Sequence, residues 1–166
     1  GFDFTFNMGF PIFQAIRGSF GFQGNILQEL YEYNPDDVKA GVPKKKAKTN
    51  YRGEIYANGS GDPKFRFISH ITIGDSTWQL SNRVRYLHGM KIEGTTGVEP
   101  YHRLDSIVYW DISGALTLGD FQWTVGMKNV LDKDPPYFPG TSYNANVQVY
   151  DIVGRYIWTK LGYTFH

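Results

Sequence analysis

Four histidines, His70, His88, His102 and His166, are the side chains here that combine metal affinity with titration near neutral pH. No pair has the spacing of a helical zinc motif, and the chain has no cysteine to supply a thiolate ligand. His88 and His102 fall on or beside one connection, where a joint metal or ligand role competes with the plainer reading of two surface histidines. Asp132 and Asp134 carry calcium-like spacing, but Pro135 and Pro136 break any EF-hand pattern. Gly59-Ser60-Gly61-Asp62 lacks the lysine, hydroxyl and following helix of a phosphate-binding loop and reads as turn glycines. No serine sits in a nucleophile elbow. Catalysis therefore has no support, and no metal or cofactor is expected.

Charged residues are more informative. Lys44-Lys45-Lys46 with Lys48 is the single basic run, suited either to lipopolysaccharide phosphates or an anionic ligand, or to a solvated loop. A formal net charge of +1 and the lack of a fold motif exclude nucleic acid as a partner. Arg66, His70, Gln79, Arg83, Arg85, Asp111 and Lys160 recur at alternate positions of extended segments, which places them on one face.

That alternation dominates the chain. Phe2, Phe4, Phe6 and Met8 alternate with Asp3, Thr5 and Asn7, and a run from Ser19 puts Phe20 and Phe22 opposite Gly21 and Gln23 before continuing less regularly toward Tyr33. Phe65 to Ile73, Trp78 to Tyr86, Val108 to Leu118, Phe121 to Met127 and Ile157 to Phe165 repeat it. About seven strands of roughly ten residues result, the length that crosses a bilayer on a tilt. Tyr51 to Ala57 is a candidate eighth.

Connections alternate in length. Pro11 to Arg17, Gly74 to Ser76 and Gly119-Asp120 are short; Asn34 to Asp62, Gly89 to Arg103 and Asp132 to Gly154 are long, polar and irregular. Outer-membrane barrels have this asymmetry, with short periplasmic turns and long extracellular loops. Aromatics near the strand ends (Trp78, Tyr86, Phe121, Tyr163, Phe165) stand where a girdle would lie. The charges opposite are costly in a closed core and cheap in a wet lumen. Aromatic content of 17% and 19 glycines fit many short strands, and a mean hydropathy of -0.39 is compatible with strands that alternate polar and apolar residues. No apolar run is long enough for a transmembrane helix, and the amino terminus begins inside an alternating pattern without signal-peptide character.

Val125-Gly126-Met127-Lys128-Asn129-Val130-Leu131-Asp132-Lys133-Asp134-Pro135-Pro136 resembles the penultimate strand of TonB-dependent receptors, with its Asn-Leu-Phe-Asp-Lys-x-Pro-Pro ending. Val130 and Leu131 occupy the two apolar positions. Tyr150-Asp151-Ile152-Val153-Gly154-Arg155-Tyr156 is similar to the element leading into that family's last strand, and Leu161-Gly162-Tyr163-Thr164-Phe165 to its aromatic terminal strand. His166 after the aromatic is a departure. The resemblance is specific from about Phe121 to Phe165. It implies an all-β fold of antiparallel transmembrane β-barrel strands, the C-terminal portion of a 22-stranded barrel without its plug domain, in the outer membrane of a Gram-negative cell.

Several residues take roles from it. Asn129, Asp132, Pro135, Pro136, Gly154, Arg155, Tyr163 and Phe165 are the family-motif and assembly residues; Arg66, His70, Arg83 and Arg85 are candidates for lining the lumen or meeting the plug. Such arginines equally pair with carboxylates such as Asp111 on the next strand. Implied partners are outer-membrane lipid and lipopolysaccharide, the TonB system and plug, and the barrel-assembly machinery. The implied activity is energised uptake of an iron chelate, cobalamin or glycan. A small self-contained outer-membrane barrel with a structural or adhesive role, and a soluble β-sandwich binding carbohydrate, are the competing expectations.

Overall fold

The computed structural model describes residues 1–44, 46–56, 61–92, 102–139 and 144–165. Lys45, Ala57, Gly59, Ser60 and His166 lie outside them. Seven strands form one antiparallel sheet in chain order: β1 (Phe2–Phe13), β2 (Ile16–Ile26), β6 (Phe65–Gly74), β7 (Trp78–Leu87), β10 (Ile107–Leu118), β11 (Phe121–Lys128) and β12 (Tyr156–Tyr163). The sheet is open, with β1 and β12 as its edges. The remaining short strands are β3 (Tyr31–Tyr33) paired with β4 (Lys48–Asn50), and β5 (Glu54–Ile55), β8 (Met90–Ile92) and β9 (Arg103–Leu104) in a small sheet of their own.

Register decides which side chains share a face, because opposite residues of an antiparallel pair point the same way. Met8 faces Phe20, Phe20 faces Ile71, Ile71 faces Asn82, Asn82 faces Ile112, Ile112 faces Met127, and Met127 faces Ile157. Apart from the irregularity between Pro11 and Phe13 at the turn end of β1, no pairing slips by one, so the apolar sets merge into one apolar face. Ser69, Asn82, Thr159 and small glycines are its interruptions. Nothing in the described chain covers it: Ile157 is 70% exposed, Leu118 65%, Leu161 64% and Leu80 55%. Fully burying one side chain of this size is worth roughly 1.5–3 kcal/mol, so in water the bare face costs on the order of tens of kcal/mol.

On this face the middle rows are mainly aliphatic and the ends aromatic. Phe4, Phe22, Phe67 and Tyr86 form a ladder across four strands, with successive ring centroids 5.6, 5.2 and 5.2 Å apart. Trp78, Phe121, Trp123 and Tyr163 mark the other end. Glycines let rings lie flat on the neighbouring strand: Phe4 covers Gly24, Phe10 covers Gly18 and, on the opposite face, Trp158 covers Gly126.

All three short turns lie at one end of the sheet and all three long connections at the other. The first turn is tighter than the sequence suggests, two residues (Gln14 and Ala15) rather than Pro11 to Arg17, with an irregular register between Pro11 and Phe13. At the second, Asp75 accepts hydrogen bonds from the backbone N–H of Thr77 (2.7 Å) and Trp78 (3.1 Å), and Asp75 N–H donates to the Trp78 carbonyl (2.9 Å). These donors hold the Asp75 carboxyl below its usual value.

Two expectations need correction. The run from Ser19 stops at Ile26, and Tyr51–Tyr56 contributes only β5, outside the main sheet. The long connections are also not irregular throughout. They hold the hydrophobic core: Ile55, Met90, Ile92, Leu104, Phe138 and Tyr150 pack with Ile107 and Tyr109 of β10 and against Leu87 of β7. Those wall residues belong to the otherwise polar face, where apolar side chains cluster at the loop end. The connections fold back over that end and bury it.

Valine at Gly126 would drive its Cβ into the Trp158 indole, so Gly126→Val should shift the tryptophan emission and lower stability by about 1–3 kcal/mol in denaturant titration. Asp75, with its lowered pKa, adds stability above the ordinary carboxylate range and loses it as pH falls through its folded value. Asp75→Asn should therefore flatten that part of the acid-unfolding curve without moving the neutral-pH register in hydrogen exchange.

Candidate functional site

The polar face is floored by β1, β2, β6, β7 and β10 and roofed at its loop end by the segment from Asn129 to Arg155. Between them lies an open cleft of about 420 Å³ lined by residues including Asp3, Gln23, Asn25, Arg66, Arg85 and Asp151. Its polar lining follows from register: Asp3 faces Asn25, Asn25 faces Arg66, and Gln23 faces Ile68, which faces Arg85.

Arg85 is the most engaged charge. Its Nη2 lies 2.7 Å from Asp151 Oδ2 and its Nε 3.4 Å from Asp111 Oδ2, while its guanidinium carbon stands 4.9 Å from the Tyr109 ring centroid. Asp111 is a carboxylate on the adjacent strand, of the kind the sequence suggests for arginines of this face, although the residue directly opposite it is Arg83; Asp151, 66 positions away, is one that alternation does not reveal. Asp151 also reaches the wall through its carbonyl, which accepts a long 3.5 Å bond from the Tyr109 hydroxyl. Asp3 accepts a 2.7 Å hydrogen bond from Asn25 Nδ2.

The four lumen candidates do not form one constellation. Arg66 and Arg85 both line the cleft. His70 and Arg83 face each other one row nearer the short turns, the His70 ring lying over Gly21. Arg66 and Arg83 are exposed and have no ion pair among the described residues. His88 Nδ1 lies 3.1 Å from the Tyr86 hydroxyl, which also donates to Ser106 Oγ (3.2 Å). Among the described residues no three His, Asp or Glu side chains gather as a metal site. Lys48 Nζ sits 3.0 Å from the centroid of the Tyr31 ring.

Four of the eight motif residues, Asn129, Asp132, Gly154 and Arg155, form a fastening at the base of the roof. Asn129 is buried with φ of 50°; its Nδ2 donates to the Lys133 carbonyl (2.9 Å) and its Oδ1 accepts from Lys133 N–H (3.0 Å). Its own N–H donates to Asp111 Oδ1 (3.0 Å), tying the fastening to the carboxylate beside Arg85. Asp132, also at positive φ (51°), accepts the Arg155 N–H at 2.8 Å and lies 3.4 Å from Arg155 Nη2. A Cβ at Gly154 would approach Asp132 Oδ1 to 3.2 Å, so glycine gives the carboxylate room. The segment therefore leaves and returns through one clamp, as an Ω-loop does. Inside it Asn146 Oδ1 accepts from Gln148 and Val149 N–H (3.1 and 3.2 Å). Burial pushes the Tyr150 phenol upward and keeps it neutral.

Pro135 and Pro136 are half-buried at the start of the roof, while Tyr163 and Phe165 stack edge-to-face at 4.8 Å on the exposed apolar side. Neither pair joins the cleft. The cleft has two guanidiniums and two carboxylates around it, those of Arg66, Arg85, Asp3 and Asp151. No protein-family model, curated protein or solved structure matches the chain.

Alanine at 129 would lose two side-chain hydrogen bonds, at about 1 kcal/mol each, and sit in left-handed backbone at a further cost of about 1 kcal/mol. Glycine loses the bonds alone. Asn129→Ala should thus unfold about 1 kcal/mol earlier than Asn129→Gly, and both earlier than the parent, in urea titration followed by tyrosine fluorescence.

Proposed function

We propose that these strands are wall of an outer-membrane barrel of the TonB-dependent receptor kind, which takes up a scarce ligand such as an iron chelate, a cobalamin or a glycan. One observation carries the reading: a seven-stranded sheet with a broad, exposed and mainly apolar face and a polar face opposite. A domain normally buries such a face against a second layer. Here the connections fold onto the polar side instead, which leaves the apolar side for lipid.

The dimensions agree. Val108 and Leu118 bound the apolar run of β10; ten steps at about 3.4 Å span about 34 Å, and a tilt of about 40° reduces that to about 26 Å. Outer-membrane barrels carry an apolar band about 25 Å tall between aromatic girdles. Phe4, Phe67 and Tyr86 would sit at one interface and Trp78, Phe121 and Tyr163 at the other. The edges β1 and β12 need partners in hydrocarbon, where unpaired backbone groups are not tolerated. Further strands of a larger barrel would supply them, the polar face would meet the plug, and the motif from Asn129 to Pro136 supports the receptor family. Lipopolysaccharide would contact the long loops, the assembly machinery the Tyr163–Phe165 strand, and the TonB system the plug.

The absence of cysteine permits single-site spin labelling of the protein in its native membrane fraction. Labels at Leu80, Val125 and Leu161 should collide with dissolved oxygen and be shielded from a water-soluble nickel complex. Labels at Ser81, Thr124 and Lys160 should show the reverse. Equal nickel access on both faces, or a folded monomer in plain buffer, would sink the membrane reading. A disulfide formed readily between cysteines on β1 and β12 would favour a small self-contained barrel instead.

A further inference from the structure

We infer that the cleft is a dicarboxylate site whose anion position is held in the unliganded protein by Asp151 of the roof. Two guanidiniums stand on one floor. Arg85 pairs with Ile68 and Arg66 with Leu87, so the arginines are diagonal neighbours on β6 and β7, pointing to the same side. Diagonal neighbours stand roughly 7–8 Å apart, within reach of one small ligand with two anionic ends. Both line the cleft.

Their states differ. Arg85 already holds a carboxylate at 2.7 Å, supplied by a connection and not by the wall. Asp151 itself lines the cleft, and its side chain is 44% exposed, so a solute entering the groove meets the ion pair directly. Arg66 is exposed and unpaired among the described residues. A guanidinium presents a fork that fits a carboxylate, and two forks on one floor select a dianion over a monoanion. The groove is about 420 Å³, within the ordinary range for small-molecule sites.

Other charges bound the site. Asp111 stays under Arg85, fixed by the Asn129 N–H, so Arg85 keeps one carboxylate after the exchange. Asp3 lies two strands from Arg66 and is occupied with Asn25, which confines the anion to the β6–β7 side. Exchange frees Asp151 but not the roof's base, because the Asp132–Arg155 clamp lies outside the cleft. Binding is therefore coupled to loosening of the roof from Asn144 to Tyr150.

The test uses the whole protein from the compartment in which labelling finds it, titrated with succinate and with acetate as the monoanion. Succinate should bind saturably and faster hydrogen exchange should appear at residues 144–150. Asp151→Asn removes the internal competitor and should tighten succinate about tenfold; Arg66→Gln should weaken it about tenfold, as expected for one charged hydrogen bond. Both side chains reach solvent, and both variants keep the clamp and the core. The inference is overturned if succinate fails to bind, if acetate binds as well, if Asp151→Asn leaves affinity unchanged or weaker, or if Arg66→Gln binds like the parent. Spin labelling reads the membrane and titration reads the site, so each proposal fails on its own measurement.

Discussion

Register across the body of the main sheet is the constraint on which the rest of this molecule depends. A slip of one residue in any of the six pairings of the main sheet would send an entire strand's apolar set to the polar side. The devices that prevent a slip are local. Asp75 fixes one turn, the two-residue Gln14–Ala15 link another, and glycines opposite aromatic rings mark single positions where rings lie down. At the loop end, where a long connection gives no register information, Asn129 and the Asp132–Arg155 clamp hold β11 and β12 instead.

The same constraint explains why the core is displaced. A single-layer sheet with one greasy and one polar side has no interior of its own. Apolar packing collects where Leu87, Ile107 and Tyr109 interrupt the polar side, and the connections supply the other half. The ion pair of Arg85 with Asp151 sits at the margin of this core, where a charge leaves water partway and needs a partner. Asp111 gives the guanidinium a second carboxylate, and the Tyr109 ring gives it a face. The cleft is what remains between floor and roof beyond that margin.

Alternation made the seven strands, their common faces and the ends bearing long connections legible in sequence, since a period of two survives wherever both faces are consistently different. That an arginine of this face would meet Asp111 was legible for that reason, but not that it would be the diagonal Arg85 and not Arg83 directly opposite. The roof was not. Ile55, Met90, Leu104 and Phe138 are scattered without period, and nothing local says they meet. The available signal was Ile107-Val108-Tyr109-Trp110, four apolar residues in succession where alternation calls for polar ones. Asp151 and Arg155 stood inside a motif whose wording shows neither which wall residue Asp151 reaches nor that Arg155 closes on Asp132.

Strand parity argues about what completes the sheet. Seven strands alternate in direction, so β1 and β12 both run from the loop end to the turn end. Joining them would make a parallel pair in a sheet whose every other pairing is antiparallel. Barrels of this kind close with an even number of strands, which an odd number of added strands achieves. Tyr51–Tyr56, the candidate eighth strand, does not join the sheet: its β5 pairs with β8 instead. On the receptor reading proposed above, fifteen more strands would complete a 22-stranded barrel, and Arg66, Arg85 and the roof would stand inside the mouth of a wide lumen, where a polar face is hydrated and a small dianion reaches it.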